Sequence, residues 1–198
     1  NILAIANPSQ KEITVYPRAG DMYDDQNVVY TITSSVIGFG TSMSMNNDGT
    51  RLLVSNTNEK NVYVYTASTP GVFDTLSQTI NGSNVGGLFG SGVSMDDSGT
   101  ILAISEPFDY KVYLYNGVAG TFSTDPDQVL DLSHIQIDFG EDVDVSDDGN
   151  YIVVGGRTSG KVFIYEKDGN GYYNLYNTIE KPEYAGKYYS EKLSLSGN

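Results

Sequence analysis

Apolar and polar residues alternate along this chain in short bursts, and the bursts recur. Val62-Tyr63-Val64-Tyr65, Val112-Tyr113-Leu114-Tyr115 and Val162-Phe163-Ile164-Tyr165 stand 50 residues apart, and Ile13-Thr14-Val15-Tyr16 opens the series. Period-two alternation of β-branched and aromatic residues predicts a strand at each, near 12–17, 61–66, 111–116 and 161–166. A second series is Ile2-Leu3-Ala4-Ile5, Leu52-Leu53-Val54, Ile101-Leu102-Ala103-Ile104 and Tyr151-Ile152-Val153-Val154. A third alternates around Ser42-Met43-Ser44-Met45, Gly92-Val93-Ser94-Met95, Asp142-Val143-Asp144-Val145 and Lys192-Leu193-Ser194-Leu195, predicting strands near 41–46, 91–96, 141–146 and 191–196. A fourth strand is expected to start near Tyr23, Phe73, Phe122 and Tyr173 and to end near Ile32, Ile80, Leu132 and Ile179.

Between the third and second series lies a tight polar turn, Asn46-Asn47-Asp48-Gly49, Asp96-Asp97-Ser98-Gly99 or Ser146-Asp147-Asp148-Gly149. Its glycine supplies the positive φ that a short hairpin needs. Each unit therefore holds four short antiparallel strands and no helical segment. Such a unit cannot bury both faces of its sheet alone, but stacking units around an axis buries them, which is a β-propeller. A solenoid is disfavoured by the tight hairpins, and a two-sheet sandwich would not require a fixed period. The expected fold is an all-β propeller of four repeats of about 50 residues, each a four-stranded antiparallel blade. The units run over about 1–38, 39–88, 89–138 and 139–188, with 189–198 beginning the next unit or closing with the first.

Phe39-Gly40, Phe89-Gly90 and Phe139-Gly140 open successive units, with Tyr189-Ser190 at the fourth position. Phe-Gly, strand, turn, an apolar strand ending near Ala6-Asn7-Pro8 or Ser105-Glu106-Pro107, then an aromatic strand, resembles the FG-GAP repeat of integrin α-subunit propellers and many bacterial surface proteins. The likeness covers essentially the whole chain. Its second half is departed from at Ser55-Asn56-Thr57 and Gly155-Gly156-Arg157. The resemblance implies a propeller and an adhesion or ligand-binding role. It also implies calcium in a nine-residue acidic hairpin. Here the Asp48, Asp97 and Asp148 turns are shorter and lack the last acid, so calcium is not expected in them.

Charge narrows the partners. Eleven Lys and Arg against 25 Asp and Glu give a net charge of −14. Such a surface repels phosphate backbones and anionic lipid, so neither nucleic-acid binding nor membrane insertion is expected. No apolar run approaches the roughly 20 residues of a membrane-spanning helix. The absence of Cys excludes disulfides and thiol chemistry.

Few residues suggest chemistry. The acidic stretch Glu141-Asp142-Asp144-Asp147-Asp148 offers a cation site at Asp142 and Asp144, which share one strand face about 7 Å apart. The plainer reading is a solvated turn plus two acids near the propeller channel. No other cofactor is expected. The single histidine, His134, sits in a connector, and no Gly-x-Ser-x-Gly elbow accompanies it. Tyr172, Tyr173, Tyr176 and Tyr184 lie in a tyrosine-rich stretch whose rings either form a binding surface or pack between blades. The expectation is a non-enzymatic interaction or adhesion module of a surface, secreted or virion protein, contacting another protein or a glycan through face loops. A carbohydrate-binding propeller lectin is the alternative. Leu193–Leu195 and Ile2–Ile5 would together read as one strand–turn–strand. Pairing within one chain closes a ring of four, whereas the favoured expectation is a longer propeller or self-association.

Overall fold

The structure, a computed structural model, describes residues 2–19, 22–23, 27–82, 86–117, 121–134, 138–156, 158–182 and 192–196. It is an all-β propeller arc of four antiparallel four-stranded sheets, with a single 3-10 turn at Pro107–Asp109 the only helical element among the described residues. The first sheet holds β1 (Ile2–Asn7), β2 (Glu12–Ala19), β3 (Met22–Tyr23) and β4 (Tyr30–Thr33). The second runs in the order β5 (Phe39–Met45), β6 (Arg51–Asn56), β7 (Asn61–Thr66) and β8 (Thr75–Asn81). The third comprises β9 (Val93–Met95), β10 (Ile101–Glu106), β11 (Lys111–Asn116) and β12 (Gln128–Asp131). The fourth comprises β13 (Asp142–Val145), β14 (Tyr151–Gly156), β15 (Lys161–Lys167) and β16 (Tyr173–Glu180).

Registers repeat from blade to blade. Ala6 pairs with Ile13, Ser55 with Val62, Ser105 with Val112 and Gly155 with Val162. The aromatic strands fall where the alternation places them, at β2, β7, β11 and β15. The innermost strand forms in three blades, at β5, β9 and β13. Of the strand expected at 191–196, Glu191 lies outside the described residues and 192–196 joins no ladder; among the described residues β1 pairs only with β2. The fourth strand of the first sheet is instead the short β3, paired to the far end of β2. A strand needs a neighbour to take its backbone hydrogen bonds, and 192–196 has two of its amides bonded to side chains rather than to β1.

Each junction between blades has its own core. Phe39 packs with Ile13, Val15, Ile32, Leu52 and Val54; Phe89 with Val62, Val64, Ile80, Leu102 and Ile104; Phe139 with Val112, Leu114, Leu130, Ile152 and Val154. The three rings are at most 1% exposed. Each also meets its own blade's aromatic strand, as in the edge-on contact of Phe139 with Phe163 at 5.2 Å.

The turns are built alike by different residues. Asn46 Oδ1 accepts from the Thr50 and Arg51 amides, Asp96 Oδ1 from Thr100 and Ile101, and Ser146 Oγ from Asn150 and Tyr151. Successive turns are then linked, Asn47 N–H donating to Asp97 O and Asp97 N–H to Asp147 O. Asp48 and Asp148 carboxylates bond to Thr50 and to Ser146 and Asn150, which lowers their pKa values.

Burial raises the Tyr115 and Tyr165 hydroxyls from near 10 up to about 12, with Asp125 and Asp127 adding to the effect at Tyr115. The unfolded chain then loses these protons first. Stability is expected to hold below about pH 10 and to fall as the pH rises towards 12. Urea midpoints followed by circular dichroism between pH 9 and 12 check this, and a flat profile would contradict it.

Candidate functional site

Two regions gather the polar and aromatic residues singled out in the sequence. The first is the inner rim of the arc, where inner strands of neighbouring blades meet. They are not ladder partners, so their facing amides need other acceptors. Ser42 Oγ accepts from Val93 N–H at 3.2 Å and Ser44 Oγ from Met95 N–H at 3.1 Å. Ser94 Oγ accepts from Val145 N–H at 3.1 Å and donates to Asp144 Oδ1 at 2.7 Å. Asp142 Oδ2 accepts from Leu193 N–H at 2.8 Å and Asp144 Oδ2 from Leu195 N–H at 2.7 Å.

Asp144 thus stands where Ser44 and Ser94 stand in earlier blades, and Asp142 where Ser42 and Gly92 stand, and both hold the next segment by its backbone. Asp142 is buried and also faces the Lys192 ammonium at 3.3 Å. Both carboxylates are bonded within the protein, and no group of three or more acidic or histidine side chains able to hold a metal occurs among the described residues. Asp144→Asn leaves one oxygen for donors now served by two and turns an amide NH2 towards a hydroxyl or a backbone N–H. A loss of about 1 kcal/mol is expected, read from a denaturant midpoint; no loss would remove Asp144 from this role.

The second region is the junction of the third and fourth blades. The hairpin joining β15 to β16 is set by Asp168, whose Oδ1 accepts from Asn170 N–H at 2.8 Å and Tyr172 N–H at 3.0 Å. Those backbone bonds hold its pKa below the usual carboxylate value. Gly171 takes φ +91° to complete the turn. The turn projects Tyr172 outward, 57% exposed, while the next residue turns in.

Tyr173 is only 3% exposed, which corrects its assignment to a binding surface. It belongs to the junction core, and its hydroxyl donates to Gly149 O at 2.5 Å. Its backbone is clamped from the third blade: Gln128 Nε2 donates to Tyr173 O at 2.7 Å, and Gln128 Oε1 accepts from Tyr173 N–H at 2.8 Å. Gln78 clamps Phe122 identically, 50 residues earlier. These two glutamines escaped the sequence reading. Their signal was an amide side chain in phase with the aromatic that begins the following blade's fourth strand.

Above the clamp lies a cleft of about 320 Å³ lined by Tyr172, Asp127, Gln128, Lys167 and Asn170. Leu175 and Tyr176 continue an exposed apolar strip along β16, and the Tyr176 ring meets Tyr151 at 6.4 Å. Tyr184 lies outside the described residues. His134 is exposed in a turn. Glu106, which the sequence marked only as part of a repeat, is fully buried and accepts from the Tyr113 hydroxyl at 2.6 Å; burial first, and then this bond, pushes that phenol well up.

No family model matches the chain, and no curated protein matches it. Solved structures do. A protein from Lactobacillus plantarum superposes with a TM-score of 0.68 at 15% identity, over 90% of this chain and 54% of the other. A functionally unknown protein from Desulfotomaculum acetoxidans gives 0.62 at 10%, over 89% and 50%. A Bacteroides uniformis protein provisionally identified as a 6-phosphogluconolactonase gives 0.62 at 12%, over 90% and 56%. The chain spans about half the length of each, and at these identities the likeness is one of fold. The last comparison corrects the expectation of a non-enzymatic chain: this blade architecture also occurs in a protein identified, if provisionally, with an enzyme, so the fold gives no ground for excluding one.

Proposed function

We propose that the chain is an FG-GAP-like binding module of a surface, secreted or virion protein, and that it takes another protein as its ligand on the outer edge of the fourth blade. The observation that supports this most is the exposure of Tyr172, Leu175 and Tyr176, 57%, 53% and 65%, at the β15–β16 hairpin and along the outer strand it opens, where only Tyr173 is buried. Tyrosine combines apolar area with a polar tip and few rotatable bonds, which suits a contact surface. The FG-GAP reading is supported by the Phe-Gly pair itself, whose two residues perform the same tasks in three blades.

A glycan is the second reading, favoured by the cleft in which Tyr172 stands beside Asp127, Lys167 and Asn170, an aromatic face with charged and amide groups around it. Tyr172→Ala and Tyr176→Ala are expected to weaken binding ten-fold or more, about 1–2 kcal/mol each. A glycan array with the labelled chain tests the second reading directly. Photocrosslinking from position 172 to partner protein tests the first. Undiminished binding by both variants would remove this surface from the function.

A further inference from the structure

We propose that Asn170, at the tip of the β15–β16 hairpin, is a site of spontaneous covalent modification, at which the side-chain amide is lost and aspartate or isoaspartate is formed. The Gly171 backbone nitrogen attacks the Asn170 side-chain carbonyl carbon. That C–N bond forms as the bond to the amide nitrogen breaks, and ammonia leaves carrying the proton that Gly171 gives up. Solvent water then adds to one of the two carbonyls of the resulting cyclic imide. Opening on one side gives aspartate. Opening on the other gives isoaspartate, in which the main chain runs through the β-carbon. The balance is asparagine plus water to acid plus ammonia, with no oxidant or further reactant.

The chain carries three Asn-Gly pairs, Asn81-Gly82, Asn116-Gly117 and Asn170-Gly171. Glycine favours the attack at each, since it has no side chain to hinder it. The fold separates the three. Asn81 ends β8 and Asn116 ends β11. Their attacking nitrogens extend the ladders: Gly82 N–H donates to Lys60 O at 2.8 Å and Gly117 N–H to Thr100 O at 2.7 Å. Both glycines also lie against buried rings. A Cβ on Gly82 would stand 2.5 Å from Phe89 Cγ, and one on Gly117 2.7 Å from Phe122 Cε1. Bringing either nitrogen onto its asparagine therefore pulls a strand end away from its blade.

Gly171 is held more lightly. Its N–H donates to Asp168 O at 3.0 Å within the turn, and nothing lies within 4 Å of a Cβ placed on it. Asn170 is exposed, and β16 begins only at Tyr173. Freeing this nitrogen opens one turn, and such local openings are populated far more than the opening of a ladder packed on the core. Asp168-Gly169 in the same turn is less reactive, because a carboxylate resists attack and the Asp168 oxygens already accept from the Asn170 and Tyr172 amides and from Asn174 Nδ2.

The products change the hairpin. Either acid is ionised at neutral pH and adds a negative charge to the cleft that holds Lys167 and Asp127. Isoaspartate also lengthens the main chain by a methylene between two points that Asp168 fixes, the Gly171 N–H on its carbonyl and the Tyr172 N–H on its carboxylate. The turn cannot keep both bonds, and the presentation of Tyr172 changes. Where Tyr172 contacts a ligand, as proposed above, that contact changes with it; the chemistry itself does not depend on that reading.

Incubation of the 198-residue chain at mildly alkaline pH, followed by peptide mass spectrometry, tests this. Asn170 is expected to exchange amide for acid about ten-fold faster or more than Asn81 or Asn116, with isoaspartate among its products. In urea the three rates should converge, which assigns the selectivity to the fold. The Tyr172 amide should lose hydrogen-exchange protection in the modified fraction. It should keep that protection in an Asn170→Gln chain treated alike, whose longer side chain closes the ring poorly. An Asn170 that keeps its amide throughout, or a folded chain in which all three sites react at one rate, would overturn the proposal.

Discussion

Replacing Phe139 with alanine is expected to destabilise the fold by about 3–5 kcal/mol, the cost of emptying a ring-sized volume from a packed core. The ring is fully buried and lies between two blades, against Val112, Leu114 and Leu130 on one side and Phe163 and Tyr165 on the other. Neither sheet can move into the space without breaking its own ladder, so relaxation is limited. Phe39→Ala and Phe89→Ala should cost similar amounts, because each occupies the same place at its own junction. Denaturant unfolding of the three variants checks this; a loss under roughly 1 kcal/mol, the range of surface substitutions, would contradict it.

The glycine that follows should be nearly as intolerant. Gly90→Ala is expected to cost about 1–3 kcal/mol, the usual penalty for holding a side-chain-bearing residue in a sparsely populated backbone region. Gly40, Gly90 and Gly140 take φ of +86°, +86° and +89°. A Cβ at these positions would approach Ala6 Cβ at 2.9 Å, Ser55 Cβ at 3.0 Å and Lys111 O at 3.1 Å, each in the preceding blade. The Phe-Gly pair is therefore one device: the ring fills the junction, and the glycine lets the chain turn close against the neighbouring blade. Comparison with Gly171→Ala, at φ +91° in a turn where nothing lies within 4 Å of a new Cβ, separates the close approach from the backbone strain alone. Equal losses at both positions would count against the close approach.

Much of the architecture was legible because period-two alternation reports which strand faces are buried, and the 50-residue phase reports that the burial repeats. Val62, Val112 and Val162 pair as their spacing implies. The strand expected at 191–196 was misread for a physical reason. Lys192-Leu193-Ser194-Leu195 carries the right alternation, but a strand also requires a hydrogen-bonding neighbour, and alternation says nothing about that neighbour.

The candidate site was less legible. Asp142 and Asp144 read as possible cation ligands because charge is visible in sequence. That they replace serine acceptors of a backbone bond between blades became visible only once Ser42, Ser44 and Ser94 were seen doing the same. Tyr172 and Tyr173 are neighbours in sequence with opposite fates, because the Asp168 turn projects Tyr172 outward while Tyr173 opens β16 and points into the junction core. Gln78 and Gln128 carry no charge and no motif, so their clamps emerged only from the packing of blades.

Four equivalent blades turning about a common axis is the claim on which the rest depends. The chain has no Cys, so single cysteines at the exposed, equivalent outer-strand positions Thr33, Asn81, Asp131 and Glu180 give clean spin-label pairs. Pulsed dipolar spectroscopy should find equal separations for 33–81, 81–131 and 131–180. The 33–131 and 81–180 separations should match each other and fall short of twice the neighbouring value, as points on an arc do. Unequal neighbour separations, or next-neighbour values of a full two-fold as in a straight stack, would contradict the propeller.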